Sequence, residues 1–106
     1  MQYRDSRHRC SYVVRFAIGR DTVVGEILNI SRSGMVARIP GRVDRGQPVT
    51  FSLNRQERTA RAVRSAARNV TAFRLDRPLT QSEFEEITAA PSHRRLRHIR
   101  TLEELR

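Results

Sequence analysis

The sequence predicts a mainly β protein: a small six-stranded antiparallel barrel, closed or nearly closed, followed by one or two helices. Three observations predict it. Runs of alternating apolar and polar residues recur at short spacing from Ser11 to Leu75. Turn-forming residues punctuate them, among them Gly19-Arg20-Asp21, Pro40-Gly41 and Arg68-Asn69. From Thr80 the apolar period lengthens from two to three or four. Short strands at regular intervals followed by a helical pattern are the signature of a small barrel with a helical tail. At 106 residues the chain is the size of one domain. It divides into a flexible basic arm (residues 1–10), a barrel (11–77) and a helical segment (78–106).

The arm is polar and lacks periodicity. In the first strand, Ser11 to Ile18, Tyr12, Val14, Phe16 and Ile18 share one face, and Val13, Arg15 and Ala17 the other. Thr22 to Ile30 is the second strand. Val24, Glu26, Leu28 and Ile30 fall on one face, and Val23, Gly25 and Ile27 on the other. Gly25 in mid-strand suggests a bend or a bulge. Glu26 on an otherwise apolar face either pairs with an arginine or sits near an open end. Met35 to Ile39 is a short third strand, and Val43 to Gln47 is loop. Pro48 to Leu53 is the fourth strand, with Val49, Phe51 and Leu53 inward. Asn54-Arg55-Gln56 makes a hairpin turn into Glu57 to Ala66, a strand whose alanines also permit helix. It carries Arg58, Arg61 and Arg64, candidates for a basic stripe. Val70 to Leu75 is the sixth strand.

Beyond it, Ser82 is the expected N-cap of a helix with glutamates at 83, 85 and 86, and Phe84 and Ile87 as apolar contacts. Pro91 ends or bends it. A second helical segment runs from His93 to Leu105, with Leu96, Ile99, Leu102 and Leu105 spaced by three. Basic residues at its start and glutamates at its end oppose the helix dipole, so this helix needs a partner surface. That surface is the barrel or a second copy, which permits a homodimer.

The formal charge is +10, and all 21 basic residues are arginine. Such a charge attracts anions: nucleotides, nucleic acid, acidic proteins or anionic membrane surfaces. Arginine's planar fork suits phosphate and guanine. No run reaches membrane-span length and no apolar leader opens the chain, so a soluble, cytoplasmic protein is expected. The single cysteine, Cys10, has no internal disulfide partner and reads as a small strand-edge residue. Catalysis finds little support. His8, His93 and His98 lack a nucleophile and an orienting carboxylate at recognisable spacing, and His93 and His98 do not stack on one helix face. No phosphate loop or dinucleotide glycine pattern occurs. The expectation is a binding protein, not an enzyme, with no metal and no cofactor.

Two features carry a sharper reading. Asn29-Ile30-Ser31-Arg32-Ser33-Gly34 joins two strands with more hydrogen-bonding chemistry than a turn requires. Gly34 can take a positive φ or admit a close neighbour. Arg4, Arg7 and Arg9 cluster just before the first strand. Asn-x-Ser-x-x-Gly after strand two, with an arginine arm before strand one, resembles the PilZ family of small β-barrels. The resemblance covers roughly residues 3 to 87. The family's arm has Arg-x-x-x-Arg. Here His8 stands four residues after Arg4, and Asp5 four before Arg9, so the arginines are out of step.

The resemblance implies a receptor for cyclic di-GMP. It assigns the arm arginines, Arg4 with Arg7 or Arg9, to the phosphates and guanine. It assigns Asn29 and Ser31 to hydrogen bonds with the base, and Gly34 to leaving the base room. Ligand would pin the arm and alter affinity for a downstream protein. A PilZ-like barrel that has lost the ligand and serves as a protein-interaction module is the alternative. A small RNA- or single-strand-binding barrel is disfavoured, because the strands lack exposed aromatic platforms.

Overall fold

The computed structural model describes residues 7–89. Arg4 and the helical pattern from His93 to Leu105 lie outside the described residues. Six strands come in order: β1 (His8–Ile18), β2 (Asp21–Ile30), β3 (Gly34–Arg38), β4 (Pro48–Leu53), β5 (Gln56–Ala67) and β6 (Val70–Leu75). One helix follows, α1 (Gln81–Thr88). The strands form a closed antiparallel barrel in the order β1-β2-β3-β6-β5-β4.

Alternation places the core. Phe16, Ile27, Met35, Val49, Leu53 and Phe73 are among the residues that fill the barrel. Phe16 and Phe51 meet inside it, their ring centroids 5.4 Å apart. Inward burial of this kind supplies the main drive to fold. β5 is strand throughout, because Ala60 and Ala62 face the core and pair toward Leu75 and Phe73.

The structure corrects several expectations. β1 begins at His8, so residues 8–10 of the expected arm are sheet. They pair with the end of β2, His8 opposite Ile30 and Arg9 opposite Asn29, and a register shift separates them from Tyr12. Gly25 marks no bulge. It pairs in register with Val14, and an added Cβ would lie 2.8 Å from both the Phe16 ring and the Arg38 carbonyl. The irregularity in β2 falls between Ile27 and Asn29 instead. It switches the faces, so Ile30 joins Ile27 in the core while Val24 is exposed. The face carrying Glu26 is therefore the outer one. Glu26 pairs there with Arg38 at 3.1 Å and accepts from the Ser11 hydroxyl.

The β4–β5 turn is Asn54-Arg55 alone, both at positive φ, as a two-residue hairpin of the I′ kind requires. The helix is capped by Thr80, not Ser82. Its hydroxyl accepts from Glu83 N–H, and the Glu83 carboxylate accepts from Thr80 N–H at 2.8 Å. Both Thr80-x-x-Glu83 and Ser82-x-x-Glu85 have the capping-box pattern. Glu83 decides between them, because it is drawn into a buried pair with Arg58, Nε to Oε2 3.6 Å. Arg58 also donates to the carbonyls of Arg77 and Pro78 at 2.6 and 3.0 Å. It is a clasp for the β6–α1 connection and not part of a surface stripe; Arg61 and Arg64 are exposed.

Candidate functional site

The site is built at one end of β1, β2 and β3. The antiparallel pairing of β1 with β2 sets Arg9 directly across from Asn29. The chain then turns through residues 31–33 into β3. Ser31 N–H donates to the Gly34 carbonyl at 2.9 Å. The Ser31 hydroxyl accepts from Gly34 N–H at 3.1 Å and lies 3.3 Å from the Gly34 carbonyl. Ser31 is thus buried and engaged in closing its own turn. Gly34 does not use a positive φ. Its missing side chain makes room for β6, since a Cβ there would sit 3.0 Å from the Phe73 carbonyl.

The turn is anchored from below. The Ser33 and Arg32 carbonyls accept from Leu75 and Leu79 N–H at 2.9 and 2.8 Å. The Arg32 guanidinium donates to Gln81 at the start of α1. The helix in turn packs on β1. His8 meets Phe84 edge to face with centroids 5.0 Å apart, and the Tyr12 hydroxyl donates to Glu86. Partial burial first, and then the Glu86 carboxylate, push the Tyr12 phenol up to about 12. Helix, turn and the start of β1 are therefore one mechanical unit.

Cross-strand partners share a face. Five strands consequently place Arg9, Asn29, Val36, Ala72 and Arg64 in one outward row. A second row runs Gly34, Arg74, Arg61. The floor between is small: Gly34, Val36 and Ala72. Exposed arginines stand on both flanks. Asn29 contributes a buried, unpartnered acceptor to this face. Its Oδ1 is shielded from solvent and has no hydrogen-bond partner among the described residues. An unmet buried acceptor costs about 1–3 kcal/mol.

Of the sequence-predicted residues, Arg9 and Asn29 are brought together, with Arg7 exposed immediately before β1. Ser31 and Gly34 shape the corner beside them. Sequence reasoning missed Arg74, which is the cross-strand neighbour of Gly34. Its signal was strand parity, because Arg74 lies between the inward Phe73 and Leu75. Cys10, just past the site, is half-buried with its thiol 3.5 Å from the Ile27 carbonyl. Burial first, and then Glu26, raise that thiol to about 11, which makes it a poor nucleophile. Among the described residues no cluster of His, Cys, Asp and Glu could hold a metal ion. None of their helices is long and apolar enough to cross a membrane.

Fold and surface together define a small β-barrel whose outer face is a shallow floor between arginines. The family model for the PilZ domain matches residues 2–97, nearly the whole chain, and the chain belongs to the PilZ domain family. That family is a binding module known for cyclic di-GMP rather than a catalytic one. No curated protein sequence matches the chain.

Proposed function

We propose that this barrel is a single-domain cyclic di-GMP receptor that passes the level of the second messenger to a partner protein. The observation that supports it most is the pairing of Arg9 with Asn29 beside an unmet buried acceptor. Cyclic di-GMP carries two phosphates and two guanines. An arginine fork binds phosphate oxygens or the guanine O6 and N7 edge. Guanine N–H groups can satisfy Asn29 Oδ1. Arg7 and Arg9 on one flank and Arg74 on the other suit a ligand lying across the Gly34, Val36 and Ala72 floor. Arg4, ahead of β1, is assigned to the same ligand by the family pattern. Ser31 and Gly34 hold the corner in shape. Signal transfer follows if the ligand has unequal affinity for two arrangements of the N-terminal segment.

Titration calorimetry with cyclic di-GMP tests this. Micromolar or tighter binding is expected, weakened about tenfold or more in Arg9→Ala and in Asn29→Ala, as loss of a hydrogen bond to a charged or buried group implies. One observation favours a second reading: the arm lacks the Arg-x-x-x-Arg spacing. If the folded chain gives no heat at high concentration, the barrel is a ligand-free protein-interaction module.

A further inference from the structure

At the other end of β3 and β6, away from the Asn29–Gly34 corner, the barrel has a second basic feature. β4 pairs with β5 from Gln56 to Arg61, whereas β6 pairs with it from Ala60 to Ala67. The β5–β6 hairpin therefore overhangs β4. The segment before β4 is held to the β5 backbone at Ala62, whose carbonyl accepts from Gly46 N–H at 2.8 Å and whose N–H donates to Gln47 at 3.0 Å, and the Arg61 side chain donates to the Gly46 carbonyl at 3.3 Å. Beyond that point the loop and β5 part, and a cleft of about 600 Å³ opens between Gly41–Arg45 and the hairpin end. Two register shifts, after Ala62 and after Ser65, bend β5 here. Ser65 lies opposite the buried Thr71 yet is exposed, because nothing among the described residues covers this stretch.

We propose that this cleft docks an extended acidic peptide segment of a partner protein, which adds a strand along the edge of β5 from Val63 to Ala67. Three observations carry the assignment. No strand among the described residues pairs with that edge on the β4 side, and five residues is an ordinary strand length. Four arginines, Arg42, Arg45, Arg64 and Arg68, line the cleft against the single carboxylate of Asp44. Arg42 pairs with Asp44 at 3.2 Å, while the side chains of Arg45, Arg64 and Arg68 make no hydrogen bond or ion pair among the described residues. Finally, no aromatic ring among the described residues lines the cleft, so stacked bases have no platform there. The same arginines and bulges guard the edge against a second copy of this +10 chain. An acidic strand is attracted where a like-charged one is repelled.

The inference does not rest on cyclic di-GMP, and its test is run without it. The probe is a short fluorescein-labelled peptide alternating glutamate and threonine, followed by anisotropy. Binding is expected, with a loss of about tenfold or more in Arg64→Glu/Arg68→Glu and a smaller loss in Arg64→Gln/Arg68→Gln. The exposed pair Arg15→Glu/Arg20→Glu makes the same charge change elsewhere; an equal loss there would mean general attraction and overturn the site. A peptide with alternate backbone amides N-methylated should lose binding, and retention would overturn strand addition. Equal or tighter binding of oligothymidylate of matched charge would overturn the peptide assignment in favour of nucleic acid. Thermal unfolding verifies that each variant is folded.

Discussion

At the scale of single residues, two side chains tie the helix to the barrel. Arg58 and Glu83 are both buried, and removing one partner of such a pair leaves an uncompensated charge, at a cost of about 3–5 kcal/mol. Tyr12 does its part through a phenol that donates to Glu86. Folding raises its pKa from 10 to about 12. The folded state therefore favours the protonated phenol. The Tyr12 contribution is intact below pH 10 and is lost as pH rises toward 12. Denaturant unfolding across that range should show a fall in stability that Tyr12→Phe abolishes. An unchanged slope in the variant would detach Tyr12 from the effect.

At the scale of elements, β2 is the most informative. Its glycine is a packing device. In Gly25→Ala the new methyl group meets the Arg38 carbonyl and the Phe16 ring, neither of which can retreat within a closed sheet. We expect a loss of about 1–3 kcal/mol, the usual range for overpacking, read as a lower denaturant midpoint at unchanged slope. Gly19, where a Cβ would meet nothing within 4 Å but φ is +61°, is a contrast in which strain alone acts. The irregularity between Ile27 and Asn29 has the larger effect on the outer surface. It turns Ile30 into the core and leaves Asn29 on the outer face opposite Arg9. Without it the period-two pattern would place the carboxamide inside.

At the scale of the whole molecule, the barrel is closed unevenly. β1 and β4 pair only through Ala17 and Thr50, whereas β2, β3, β5 and β6 are held along several residues by each neighbour in their run. A cleft of about 370 Å³ lies over this seam, lined by Val14, Arg15, Thr50 and Ser52 among others. Local opening should begin there. Native-state hydrogen exchange is expected to be faster at the β4-facing amides of β1 than in β3 and β6, and uniform protection would contradict it. The two basic surfaces adjoin: Arg64 stands both in the outward row that begins at Arg9 and in the lining of the second cleft.

Much of this was readable from residues alone. Period-two alternation marks the strands outside the register shifts of β2 and β5, since a half-buried strand must alternate, and turn residues mark their ends. Asn-x-Ser-x-x-Gly marks a candidate corner in the sequence, because those side chains carry their chemistry wherever they are placed. Parity also held the sign that Arg58 faces inward with Ala60 and Ala62. What alternation could not supply was any fact that depends on a neighbour distant in sequence. The face of Ile30 depended on a bulge set by β3, and the true helix cap on Arg58 reaching Glu83 from β5. The overhang of β5 depended on where β4 stops. Each is a competition between local patterns of similar energy, and only contacts across the barrel break the tie.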